Sequence, residues 1–217
     1  MSSKKGGAIK KSKKKEEEID EEIKIIFLGE AYVGKTCLIN KLVKNEFTEN
    51  NENSIGVNLE KKIMTLKNKK ILVTIWDTAG QEKFSVIPEK MIFSSDGFII
   101  VYDITDKGSF DLISKWMKKI TDIINCPKII IFGNKNDLIT CREVETNEGE
   151  ALASKYKLKF FETSAKNGTN LNEGLEALLL QILEDDRNIG RKRRNSYRLK
   201  KDENKEKNKL DKKSKCC

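Results

Sequence analysis

The sequence predicts an α/β fold in which helices cover both faces of a mostly parallel sheet, and three observations lead there. Short apolar runs alternate with helix-length segments throughout residues 23–186. The runs read as continuous Ile, Val and Phe, the pattern of strands buried on both faces. One pair of runs alternates on a period of two around a tight polar turn, which makes that pair antiparallel within an otherwise parallel set.

The first run, Ile23 to Leu28, stops at Gly29, and a helix follows from about Lys35 to Lys44. Leu59 to Leu66 and Ile71 to Trp76 form the strand pair around Lys67-Asn68-Lys69-Lys70. Phe98 to Tyr102, Lys128 to Phe132 and Lys159 to Phe161 are short and rich in β-branched or aromatic residues, so they complete the set of strands. Helices are expected from Ser109 to Ile124, from Thr146 to Tyr156 and from Asn170 to Leu183. No internal repeat is visible. In such folds ligands sit at the carboxyl ends of the strands, so the residues just after each run are the candidates for chemistry.

At 217 residues, 37% of them apolar, the chain suffices for one domain of ordinary core size. It has no histidine, which excludes an imidazole base, a His-paired nucleophile or a His-ligated metal within it. No run approaches the eighteen or so apolar residues of a membrane span, and MSSKKGGAIKKSKKK lacks the apolar stretch of a secretory signal. An intracellular protein is expected, and Cys37, Cys126 and Cys141, scattered without metal-ligand spacing, fit that compartment.

The net charge of +9 is uneven. Residues 187–217 carry a net +10 and residues 1–22 a net +1, which leaves −2 for the body. Both ends are rich in Lys, Glu, Asn and Ser and poor in large apolar side chains. They are therefore expected to be disordered: a Lys/Glu-rich extension over 1–22, a folded domain over 23–184 and a basic tail over 185–217.

After the first run comes Gly29-Glu30-Ala31-Tyr32-Val33-Gly34-Lys35-Thr36, which matches G-x-x-x-x-G-K-[ST] between a strand and a helix. The glycines let backbone N–H groups turn onto phosphate oxygens, and the helix N-terminus adds its dipole. Lys35 would reach the β- and γ-phosphates, and the Thr36 hydroxyl would ligate Mg²⁺. A Gly-rich turn that merely caps a helix is the plainer alternative. Trp76-Asp77-Thr78-Ala79-Gly80-Gln81-Glu82 then places a carboxylate, Asp77, after a strand, where it can hold the Mg²⁺ shell. Gly80 can donate its N–H to a γ-phosphate, and Gln81 can orient an attacking water.

Phe132-Gly133-Asn134-Lys135-Asn136-Asp137 and Glu162-Thr163-Ser164-Ala165-Lys166 follow two later runs. A carboxylate accepts two hydrogen bonds, which matches the ring N–H and exocyclic amine of guanine. Adenine has no such donor pair, so Asp137 argues for guanine, with discrimination on the order of 10⁴.

GxxxxGKT, DTAGQ, NKND and ETSAK, in this order and spacing over residues 22–184, resemble the Ras superfamily of small GTPases. WDTAGQEKF, IVYDIT at Ile100 to Thr105, SIGV at Ser54 to Val57 and the final Cys-Cys resemble the Rab family within it. The resemblance implies a P-loop NTPase G domain, with one antiparallel strand in a six-stranded sheet, binding GTP/GDP and Mg²⁺ and hydrolysing GTP slowly. It implies that Cys37 joins the phosphate-loop residues around the nucleotide, that Phe47 packs on the base and that Asn134 and Asp137 recognise it. Ala165, beside Ser164, would give a backbone N–H to the guanine oxygen, and Lys135 and Lys166 would flank the base plane. Ser54 stands where the family has a threonine that binds Mg²⁺ in the GTP state, so this switch is expected to close less firmly. Ala31 and Tyr32 are bulkier than the Gly or Ser common there, which also favours slow hydrolysis. The aromatic effector patch becomes Leu59, Trp76 and Met91, and the Tyr-Tyr-Arg stretch becomes Met91-Ile92-Phe93.

Cys216 and Cys217 are not in a C-a-a-X arrangement. A vicinal disulfide or idle thiols are open alternatives, while the resemblance implies a geranylgeranyl group on each. Two lipid chains anchor stably where one does not, and a basic tail adds attraction to an anionic leaflet. Ser2 excludes N-myristoylation. The N-terminal lysine run reads as a solvated extension, with membrane contact or nuclear addressing as minor alternatives.

The expectation is a monomeric switch on the cytoplasmic face of an intracellular membrane, with a cytosolic pool, regulating vesicle trafficking. Its partners would be an exchange factor, a GTPase-activating protein, a GDP-dissociation inhibitor and effectors. A GTP-bound scaffold with impaired hydrolysis is the first rival. A nucleic-acid binder is the second, and the near-neutral body without a groove-reading motif argues against it.

Overall fold

A computed structural model describes residues 18–48, 58–78 and 87–185. Six strands form one sheet: β1 (Glu21–Leu28), β2 (Asn58–Leu66), β3 (Lys69–Asp77), β4 (Gly97–Asp103), β5 (Ile129–Asn134) and β6 (Lys159–Glu162). Their spatial order is β2-β3-β1-β4-β5-β6. β2 and β3 pair antiparallel, with Leu59 opposite Trp76 and Leu66 opposite Lys69, and all other pairings are parallel. The expected six-stranded, mostly parallel sheet is therefore present. The hairpin turn is formed by Lys67 and Asn68, both at positive φ.

The helices are α1 (Lys35–Lys44), α2 (Glu89–Phe93), α3 (Lys107–Asp111), α4 (Ile113–Thr121), α5 (Thr146–Tyr156) and α6 over 171–185. Alternate residues of β1 send side chains to opposite faces. Ile23, Ile25 and Phe27 pack with Leu38, Ile39 and Leu42 of α1 and with Leu175, Leu178 and Ile182 of α6. Ile26 and Leu28 pack on the other side with Ile113, Trp116 and Ile120 of α4 and Ala153 of α5. Every residue of β4 and β5 is buried, which explains their unbroken apolar runs.

Two expectations about helices need correction. The segment expected as one helix from Ser109 to Ile124 is two, because Asp106 starts α3 earlier and Leu112, with ψ of −4°, interrupts the run. The Asp106 side chain accepts from Gly108 N at 2.9 Å, a capping bond that pulls the start back to Lys107. Beyond Thr121 the chain leaves the helix in a turn, with Ile123 N and Ile124 N both bonded to Ile120 O. The second correction is α2, which was not expected: five residues are too few to show a helical period. Strand β1 also starts two residues before Ile23.

β2 is one edge of the sheet, and lysine ties it to α1. Lys44 Nζ meets Glu60 Oε1 at 2.7 Å, and Lys62 Nζ donates to the Leu42 carbonyl near the C-terminus of α1. Burial lowers the Lys62 pKa. Because the other five strands run parallel, Leu28, Asp77, Asp103, Asn134 and Glu162 all end at one side of the sheet. The sequence motifs begin there.

Candidate nucleotide-binding site

The loop between β1 and α1 turns sharply on two glycines. Gly29 has φ of 145°, and a Cβ there would lie 2.2 Å from the Val101 carbonyl oxygen. Gly34, at φ 92°, caps α1 in the left-handed region, and a Cβ there would meet Asn134 Nδ2 at 2.4 Å. Glycine at 34 therefore lets a residue from the end of β5 touch this loop. Tyr32 also has positive φ, 67°, which is costly for an aromatic residue, and its side chain is 69% exposed. Ala31 is half-buried, and Val33 is buried in the core beneath the loop.

Lys35 is 4% exposed, and its Nζ donates to the carbonyls of Gly29 at 3.0 Å and Glu30 at 2.7 Å. The ammonium thus lies folded over the loop that would cradle phosphate. The Thr36 hydroxyl donates to Asp77 Oδ2 at 2.8 Å, and Asp77 is 2% exposed. A hydroxyl and a buried carboxylate in contact at the head of α1 form a hard oxygen donor set that fits Mg²⁺, which takes one or two protein ligands beside phosphate and water. Cys37, half-buried, donates its thiol to the Thr48 carbonyl.

The loops after β5 and β6 interlock. Asn134 is 1% exposed; its Nδ2 donates to the Val33 carbonyl at 2.8 Å, and its Oδ1 accepts from Ala165 N at 3.3 Å. Asn134 therefore ties three loops together. Thr163 N donates to Gly133 O at 2.7 Å and Asn136 N to Thr163 O at 3.0 Å, so the two loops share backbone bonds as well. Asp137 is half-buried on the rim, where its Oδ1 accepts from the Ser164 hydroxyl at 2.5 Å. Lys166 is exposed beside it in sequence, and Phe47 is half-buried against the core cluster that includes Ala165.

Sequence reasoning missed the partners that organise this site: Trp116, Asp103, Arg142, Thr146 and Asn170. Glu30 Oε1 accepts from the Trp116 indole of α4 at 3.2 Å. Lys135 Nζ meets Asp103 Oδ2 at 2.5 Å, and inspection of strand ends could have found that aspartate. Arg142 makes a bidentate pair with Glu162 at 2.6 and 2.9 Å, and the Thr146 hydroxyl adds a third bond at 2.9 Å. Burial pulls the Glu162 carboxyl pKa up, but the bonds from Arg142 and Thr146 and the guanidinium charge together hold it below its ordinary value. Asn170 Nδ2 donates to the Glu162 carbonyl at 2.7 Å, which fixes the entry of the loop carrying Ser164 and Ala165.

Ser54, Gly80, Gln81, Cys216 and Cys217 lie outside the described residues. On the expected effector face, Leu59 is 43% exposed and Phe93 70%, while Trp76 and Met91 are half-buried. The Trp76 Nε1 is buried without a hydrogen-bond partner.

The profile of the Ras family matches residues 24–184. Over 166 residues the chain is 41% identical to Ras-related protein Rab-11C of Dictyostelium discoideum, covering 76% of this chain and 74% of that protein. It is 36% identical over 165 residues to Ras-related protein Rab-13 of Rattus norvegicus, covering 76% and 81%. The GTP-binding protein ypt3 of Schizosaccharomyces pombe is 37% identical over 166 residues, covering 76% and 78%. A phosphate-type loop on a parallel sheet, locked by Asn134 to the loops after β5 and β6, agrees with those matches, and the chain belongs to the Rab family of Ras-related small GTPases.

Proposed function

We propose that this chain is a slowly hydrolysing GTP/GDP switch that regulates intracellular vesicle trafficking from a membrane surface. The observation that carries the reading is Asn134, whose amide joins the phosphate-type loop to the loops bearing Asp137 and Ala165. A nucleoside phosphate bound across them would be held at both ends by one connected unit. Asp137 would accept from the guanine N–H and amine, with Ser164 orienting its carboxylate. Ala165 N would donate to the guanine oxygen, and Lys135, Lys166 and Phe47 would enclose the base.

At the other end, the backbone of residues 29–37 would wrap the phosphates, and Lys35 would exchange carbonyl partners for phosphate oxygens. Thr36, Asp77 and Ser54 would hold Mg²⁺, which neutralises charge on the phosphate oxygens when bound. Gln81 would orient a water toward the γ-phosphorus, so that a new P–O bond forms, the bond to the β-phosphate oxygen breaks, and GDP and phosphate leave. Gly80 would donate its N–H to the γ-phosphate, and the loops carrying Ser54 and Gly80 would be released on hydrolysis. Ala31 and the exposed Tyr32, bulkier than Gly or Ser, would crowd the approach to that centre and make the intrinsic rate slow.

Geranylgeranyl groups on Cys216 and Cys217, with the basic tail, would place the chain on the cytoplasmic face of an intracellular membrane, with a cytosolic pool. Among the described residues no helix is long and apolar enough to cross a membrane. An exchange factor, a GTPase-activating protein, a GDP-dissociation inhibitor and effectors would act on a monomer. The second reading, a GTP-held scaffold, draws on the same crowding by Ala31 and Tyr32. Single-turnover conversion of loaded GTP separates the two. Conversion to GDP that slows about tenfold or more in Gln81→Leu supports the switch, and GTP persisting in the wild-type chain supports the scaffold.

A further inference from the structure

Asp103 ends β4 opposite Asn134 of β5, and it is 6% exposed. Its Oδ1 accepts from the Thr105 backbone N–H at 2.9 Å and from the Thr105 hydroxyl at 2.8 Å. Its Oδ2 faces Lys135 Nζ at 2.5 Å, and a carboxylate so buried needs that countercharge. Lys135 has φ of 68°, so the chain reverses there and its side chain returns over the end of the neighbouring strand. The Lys135 carbonyl accepts from Leu138 N at 2.8 Å, which closes residues 135–138 into a turn. Asp137, whose carboxylate meets Ser164, sits inside that turn. Asn134 pins the near end of the turn to the phosphate-type loop, and Asp103 pins its first corner to β4.

We propose that Asp103 is a positioning residue that sets how long guanine nucleotide stays bound, by holding Lys135 and with it the turn that presents Asp137. The proposal rests on the reading of Asp137 as the guanine contact. A turn already ordered in the empty protein loses little freedom on binding, whereas a released lysine side chain regains rotamers that binding must then restrict. Loss of the pair is therefore expected to speed nucleotide release about tenfold.

The test is release of a fluorescent GDP from the full-length chain in Mg²⁺, chased with excess GDP. Asp103→Asn keeps an acceptor for Thr105 but removes the charge, and Lys135→Met keeps the stem but removes the ammonium. Each is expected to release GDP about tenfold faster than wild type. The double variant is expected to be no faster than the quicker single one, since both remove the same interaction. Thr105→Val cuts the hydroxyl bond to Asp103 Oδ1 but keeps the backbone bond to that oxygen and leaves Oδ2 facing Lys135; it should lower thermal stability while release stays within about twofold. A merely structural Asp103 would make Thr105→Val mimic Asp103→Asn, or make the two single effects multiply in the double variant, and either result overturns the proposal. Wild-type release from Asp103→Asn also overturns it and leaves the nucleotide reading intact. A wild-type chain that holds no GDP overturns that reading and the proposal with it. If Asp103→Asn does not fold, Asp103→Ser, which also removes the charge while leaving an acceptor near Thr105, decides in its place, since Lys135 is itself read as flanking the base.

Discussion

Asn134 Nδ2 donates to the Val33 carbonyl at 2.8 Å, joining residues 101 positions apart. Both groups are buried, and the Asn134 Oδ1 is engaged by Ala165 N. Asn134→Ala strands a buried carbonyl and a buried N–H, so it is expected to cost about 2 kcal/mol of stability without ligand. Denaturant unfolding of the nucleotide-free protein measures that cost. GDP should also protect the variant less than wild type, because the loops no longer move as one.

The Arg142–Glu162 pair predicts an acid limb in stability. Burial alone would raise the Glu162 pKa, yet the hydrogen bonds and charge it receives leave it below the ordinary 4.5. A carboxyl lowered in the folded state contributes fully above its unfolded pKa and loses that contribution as pH falls through the folded value. Wild type should therefore weaken progressively below about pH 4.5, and Glu162→Gln should flatten that limb. Thermal melts across the acid range test the sign. Arg142→Ala, which leaves a mostly buried carboxylate unpaired, is expected to cost about 2 kcal/mol at neutral pH, between exposed and fully buried pairs.

The strand-to-helix grammar of the body was legible because each rule involved is local. Helix α1 runs from Lys35 to Lys44 as expected, since the glycine cap before it and its apolar spacing lie in one stretch of chain. The split at Leu112 was not, because it depends on the Asp106 cap outweighing the apolar continuity around it. The same division holds at the site. Lys35, Thr36 and Asp137 announce themselves by motif, whereas the Glu30–Trp116 bond joins residues 86 positions apart and no local pattern encodes it. Asp103 stands between these cases: its strand-end position was visible, but its partner Lys135 is set by the β4–β5 register.

Tyr32 holds a left-handed conformation at φ 67° with 69% of its surface exposed. Glycine would relieve about 1–2 kcal/mol of backbone strain but lose part of that to greater freedom in the unfolded chain. Tyr32→Gly is expected to stabilise the chain by about 0.5–1 kcal/mol, and it should not slow GTP conversion. A destabilised variant in chemical denaturation would mean that the Tyr32 side chain contributes more than its backbone costs.

Gln81→Leu removes the amide assigned to the attacking water. Single-turnover hydrolysis should slow about tenfold or more while GDP affinity stays near wild type, because the group acts only in the transition state. An unchanged rate would take water positioning away from Gln81.

Guanine reading by Asp137 is tested by equilibrium binding of GDP and XDP to the wild-type chain and to Asp137→Asn, in Mg²⁺. Wild type should prefer GDP by about a hundredfold or more, and the variant should reverse the order, because an amide offers a donor to the xanthine carbonyl. An Asp137→Asn chain that keeps the wild-type preference for GDP would contradict the assignment of this site.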